Sequence, residues 1–184
     1  MKRLKLVAGL LVIAAATVAV AQVGLGGSGR VRIGTGKVSA LARATQSADR
    51  LPAEVLAYPF ADRNFASPNG AGSRLLKTDG SLSLYAVPGK YGMVCLVEID
   101  VLAQTSGAAC ADRSVLLTGS IFMADQLEDG TQQVMGLVGD GHTYAEANGK
   151  RVRVDGNAFL LRGVRSTEVT IGSPAAAQTV DIGG

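Results

Sequence analysis

Beyond Pro68-Asn69-Gly70 the chain is punctuated at short intervals by residue pairs that turn a backbone back on itself. Asp79-Gly80, Pro88-Gly89, Asp129-Gly130, Asn148-Gly149 and Asp155-Gly156 stand between short runs rich in Val, Ile, Leu and Tyr. Gly, Asn and Asp tolerate the left-handed backbone that tight turns demand, and Pro presets the first turn position. A turn signal roughly every ten residues predicts a mainly β chain, folded as a single antiparallel β-sandwich or barrel-like domain. No repeat of fixed period points to a solenoid or propeller.

The densest β signal runs from Leu82 to Cys110. Leu82, Leu84, Tyr85 and Val87 lead into Pro88-Gly89, and Val94, Leu96, Val97 and Ile99 follow it, which reads as a hairpin. A Ser/Gly/Ala-rich loop is expected between that second run and Cys110, with one helical piece over 111–117. Further strands are expected at 74–78, 121–123, 132–138, 142–147, 150–154, 158–161, 168–171 and 178–182. Val152 and Val154 alternate with Arg151 and Arg153, so that strand should have one buried and one wet face. Asn148-Gly149 is a type I′ turn signal.

The region 37–66 is the one stretch expected to form short helices, covering a face or edge of the sheet. Pro52 opens one, with Glu54 in its first turn, and Tyr58 before Pro59 ends it. Phe60 and Phe65 are the expected anchors. The domain proper is therefore 37–184, with 71–184 mostly β.

Residues 1–23 have the anatomy of a signal peptide or a transmembrane anchor helix. Lys2, Arg3 and Lys5 precede a charge-free apolar run from Leu6 to Val20, and Ala19-Val20-Ala21 offers small residues where a signal peptidase reads. Continuing through Val23 and Leu25 gives an apolar stretch long enough for a bilayer core of about 30 Å. In either case the basic flank stays cytoplasmic and the domain is expected outside, membrane-anchored or secreted. Residues 24–36 are a Gly-rich linker. It is no phosphate loop, because Val38 stands after Lys37 where that motif needs Ser or Thr.

Charge narrows the partners. Of 18 basic residues, Lys2, Arg3 and Lys5 belong to the N-terminal segment, and the remaining 15 face 15 acidic ones. A near-neutral domain gives no electrostatic footprint for nucleic acid. The partners expected are the membrane, through an uncleaved N-terminal segment, and another envelope protein.

Two cysteines in an exported domain read as one disulfide, Cys95–Cys110. Their spacing and Cys95's place in a strand do not match a redox pair. His142, the only histidine, lies near Asp140 and Glu146. These three are the weak functional candidates, as a general base with a carboxylate. A turn histidine between two strands is the competing reading, and one imidazole is too little for a zinc site. Glu98 and Asp100 alternate on a strand and are read as its solvated face. No G-x-S-x-G elbow is present. No catalytic residue, metal ligand or cofactor is assigned.

The segments LPAEVLAYP, SLYAVPGKYGMVCLVEI, GAACADRSVLLTGSIFMAD and GLVGDGHTYAEANGKRVRVDGNAFLL together resemble uncharacterised exported or membrane-anchored proteins of GC-rich Gram-positive bacteria. The resemblance covers about 50–184; it implies the disulfide and the β domain and brings no activity with it. The leading expectation is a non-enzymatic extracytoplasmic envelope protein acting in binding or scaffolding. The alternatives are a secreted enzyme using His142 with a nearby carboxylate, and a carrier of small apolar ligands with a cavity among Leu84, Val94, Leu96 and Phe159.

Overall fold

In a computed structural model of the chain, residues 36–52, 69–117 and 119–182 are described. The N-terminal apolar segment, most of the Gly-rich linker, and the helix expected after Pro52 with Phe60 and Phe65 lie outside these residues. Among the described residues no helix is long and apolar enough to cross a membrane.

The domain is mainly β, as the turn spacing predicts, and is built from three antiparallel sheets. The first sheet joins β1 (Arg74–Asp79), β2 (Leu82–Pro88), β3 (Met93–Asp100) and β4 (Thr105–Asp112) in sequence order. The second joins β5 (Ser120–Gln126), β6 (Gln132–Val138) and β9 (Ala158–Val164). The third has the order β11–β10–β7–β8, from Ala177–Asp181, Glu168–Gly172, Tyr144–Ala147 and Lys150–Arg153. The expected 37–66 helices are represented by a four-residue helix, α1 (Ser39–Ala42), and a 3-10 turn at Ser47–Asp49.

Side-chain alternation shows how the sheets stack. Leu82, Leu84, Val94, Leu96 and Ala109 of the first sheet pack against Ile121, Met123, Met135, Leu137 and Leu160 of the second. The next residues along those central strands, Phe122, Val134, Phe159 and Leu161, point the other way. They meet Ala145, Val169, Ile171 and Val180 of the third sheet. The three-stranded sheet is thus the middle layer, apolar on both faces, and burial of that area is the main drive to this stack. Phe159 lies opposite Gly136, where a Cβ would come within 2.2 Å of its ring, so only glycine admits the aromatic there.

The loops follow the turn chemistry. Asn148 and Gly149 both have positive φ, 49° and 74°, between β7 and β8, the I′ signature expected of Asn-Gly. Gly156 and Asn157 repeat it at 55° and 69° between the bridged residues Asp155 and Ala158.

Three local expectations need correction. The Ser/Gly/Ala stretch before Cys110 is strand, not loop: it pairs with β3 without a break from Asp100↔Thr105 to Met93↔Asp112. Its small side chains have low β preference, but pairing to a fully buried neighbour overrides propensity. The helical piece over 111–117 shrinks to a 3-10 turn at Arg113–Leu117, because Ala111 and Asp112 still belong to β4. Asp112 then accepts from Ser114 N at 2.8 Å and stops the strand. The strand expected over 142–147 begins at Tyr144 and leaves His142 in the preceding turn.

Candidate functional site

The three residues singled out in the sequence sit near the β6–β7 connection but are committed to different partners. The His142 imidazole is buried, 6% exposed, and its Nδ1–H donates to Gly139 O at 2.9 Å. Among the described residues the enclosed Nε2 meets no hydrogen-bond partner, and burial pulls the imidazole's pKa below its usual 6.5. The residue is in the turn between two strands, as one sequence reading has it, but inside the protein rather than in solvent.

Asp140 is held elsewhere. One carboxylate oxygen accepts from Asn157 Nδ2 at 2.8 Å and from Ser39 N at 3.0 Å. Asn157 uses its carbonyl oxygen to accept from Ser39 Oγ and Ala40 N, both at 3.1 Å, and its amide to donate to Val138 O at 3.1 Å. Val38, the residue before α1, provides no side-chain cap, so Asp140 and Asn157 together cap that helix from across the chain. Glu146 stands opposite Arg151 across β7 and β8 and accepts from its Nε at 2.6 Å, while the guanidinium lies 4.2 Å over the Tyr144 ring. Asp140 and Glu146 thus serve a helix start and a surface pair.

A pair of carboxyls is brought together that the sequence reading did not associate. Glu98 follows Val94 and Leu96 on the β3 face turned to the middle layer, and Asp125 follows Ile121 and Met123 on the β5 face turned back. Glu98 is 7% exposed, so it is not on a solvated strand face. The reason is geometric: β3 is apolar on both faces, and its even positions point into the core between the sheets. Burial first, then the charge and hydrogen bond of Asp125, pushes the Glu98 carboxyl up from 4.5 to about 8. Burial raises Asp125 as well, while hydrogen bonds from Glu98 and Gln133 act against the rise. At neutral pH Glu98 is therefore the protonated member and donates to the Asp125 carboxylate. Asp100, two residues on, is lowered instead, because its carboxylate accepts from Ala103 N and Leu102 N, each at 3.0 Å. The nearby Arg162 guanidinium is directed to Asp79, at 3.3 Å.

Cys95 and Cys110 are directly opposite in the β3–β4 register and are disulfide-bonded, with Cα atoms 4.0 Å apart. The bridge lies on the first sheet's outer face among Val87, Met93 and Val97. It staples the hairpin whose tip, Val101–Gln104, presents Val101 and Leu102 to solvent, Leu102 being 86% exposed. Among the described residues no three His, Cys, Asp or Glu side chains converge as a metal-holding group. Of the residues expected to line a carrier cavity, Leu84, Val94 and Leu96 pack in one interlayer and Phe159 in the other, and all four are buried.

Comparison of the chain with protein-family models, with curated proteins and with solved structures finds no match.

Proposed function

We propose that this protein is a non-enzymatic extracytoplasmic module of the cell envelope that works by binding or scaffolding another envelope protein. The observation that carries this reading is the β3–β4 hairpin. A covalent staple within the strands rigidifies it, and its tip holds two adjacent aliphatic side chains in water. Exposed Val-Leu on a rigid support is costly alone and favourable when a partner covers it, and little ordering entropy is lost on binding. The disulfide is in keeping with an oxidising compartment beyond the membrane. The resemblance over 50–184 is in keeping with the same location, and the near-neutral charge gives nucleic acid no footprint. The secreted-enzyme reading has less support, because Asp140 and Glu146 are bound away from His142.

The test is site-specific photocrosslinking in cells. A photoreactive residue at Leu102 should capture one dominant envelope protein, and the same residue at Lys150, on the third sheet, should not. Absence of a Leu102-specific product, in membrane and medium alike, overturns the binding tip.

A further inference from the structure

The outer strands β1, β8 and β11 are not equally protected. In the first sheet, β1 carries a bulge between Leu75 and Lys77, and Leu75 offers its N–H to Asp49 at 2.8 Å and its C=O to Arg43 at 3.1 Å. In the third sheet, β8 reads Lys-Arg-Val-Arg, with its three cations exposed. Bulges and charged side chains are the usual defences of a sheet edge. β11, at the other border of the third sheet, has no bulge and no cation, and its one charged side chain, Asp181, stands at its last position. Its sequence Ala-Gln-Thr-Val-Asp holds no Lys, Arg, Pro or Gly, and it pairs with β10 through five consecutive positions without a bulge.

The direction of its free backbone groups follows from the ladder. Ile182 N–H donates to Thr167 O at 2.7 Å, so the alternation of antiparallel pairs turns Val180 and Gln178 toward β10. The N–H and C=O of Ala177 and Thr179 consequently point away from β10. Among the described residues no strand meets them.

We propose that β11 is a self-pairing edge: two copies of this chain join β11 to β11′ antiparallel about a two-fold axis at Thr179, making one continuous eight-stranded sheet. Self-pairing is favoured because the greatest-overlap frame is also the charge-compatible one. Thr179 meets Thr179′, and Ala177 meets Asp181′, so each carboxylate faces a methyl group. The two Asp181 side chains are then four residues apart along the seam, about 13 Å, beyond the screening length of physiological salt. A frame centred on Asp181 would set the two carboxylates face to face. The hydroxyls of Thr170 and Thr179 already touch at 3.0 Å across β10 and β11, and this frame extends them into a row of four threonines. This seam is on the third sheet and the Val101–Leu102 tip on the first, so either can fail without the other.

The test uses Thr179→Cys in the full-length chain, whose two native cysteines are both bonded to each other. In the proposed frame residue 179 faces its own copy with Cα atoms about 5.5 Å apart, within disulfide reach. Mild oxidation of cells should give a disulfide-linked dimer of this chain, and Arg153→Cys, on the cation-guarded edge, should stay monomeric. Adding Ala177→Pro removes an outward N–H that β10 does not use; the dimer should fall about tenfold with the melting temperature unchanged. Failure of Thr179→Cys to crosslink, equal crosslinking from Arg153→Cys, or capture of a different protein at 179 each overturns self-pairing.

Discussion

Asp49 and Glu98 are both acids taken almost wholly out of water, 1% and 7% exposed, yet their surroundings drive them in opposite directions. Asp49 accepts from both terminal nitrogens of Arg43, from Gln46 N at 2.7 Å and from Leu75 N at 2.8 Å. The Arg43 hydrogen bonds dominate burial and hold its carboxyl far below the ordinary carboxylate range. Glu98 meets a second carboxyl instead of a cation, so burial prevails and the proton stays on. Depth alone therefore does not decide what a buried acid does; the sign of its neighbour does. Asp49 is an anion at neutral pH and ties the segment before the sheet to β1. Glu98 with Asp125 is a proton-holding contact between the first and middle layers.

The largest effect should come from breaking the first member. Asp49→Ala takes the anion from the Arg43 guanidinium, which keeps Leu75 O and Ala44 O, and leaves the N–H groups of Gln46 and Leu75 without their acceptor; it should cost about 3–5 kcal/mol in denaturant unfolding at pH 7. Because Asp49 is lowered in the fold, the stability it contributes is present above its unfolded value near 3.8 and is lost as pH falls below it. The difference between wild type and variant should accordingly shrink toward pH 2. A gap independent of pH would mean that the carboxylate charge is not what matters.

The second member carries the opposite sign. A raised acid keeps a proton that the unfolded chain has released, so the Glu98 contribution is full below 4.5 and is lost as pH rises to about 8. Glu98→Gln keeps the shape and a donor but removes the titration. It should be within about 0.5 kcal/mol of wild type at pH 5 and more stable by about 1–3 kcal/mol at pH 8.5, measured by urea unfolding across that range. Identical pH slopes in the two proteins would break the contrast. Asp125→Asn should have a smaller effect, removing the neighbouring charge but not the burial. The midpoint of the Glu98-dependent loss should drop by about one pH unit and stay above 4.5. An unmoved midpoint would separate the two carboxyls.

The residues also show what could be read before folding. Turn dipeptides located most strands, since Asn-Gly and Asp-Gly act through local backbone geometry. The three-layer stack was hidden because β3 and β6 are apolar at both parities, and a period-two pattern cannot then say which face is inside. The placement of Glu98 failed for that reason. In Val94–Cys95–Leu96–Val97–Glu98 both faces are apolar, and that feature was itself the available warning against a solvated face. The Arg43–Asp49 pair lies in a stretch of weak hydrophobic pattern. Its one local trace is the Gln46-x-x-Asp49 spacing of a reciprocal cap, which the structure shows at the 3-10 turn. The strand before Cys110 gave no local sign at all, since Gly and Ala fill it and only its partner makes it β.

The smallest predicted effect tests whether His142 belongs with either carboxyl type. It is the sole histidine, so one imidazole resonance reports it without assignment by mutation. Gly139 O fixes the proton on Nδ1 and leaves Nε2 as a buried acceptor; charging the ring would place a second proton there with nothing to receive it. Desolvation exceeds the help from Gly139, so the midpoint should fall below 6.5. The sign of linkage follows: the unfolded chain binds that proton first, and stability is lost as pH falls through and below 6.5. That slope opposes the one from Glu98, so their sum should give a shallow stability maximum in mildly acidic solution, which Glu98→Gln should broaden toward higher pH. An NMR midpoint above 7 would require an anion beside the ring. It would return Asp140 or Glu146 to hydrogen-bond reach of His142 and restore the general-base reading.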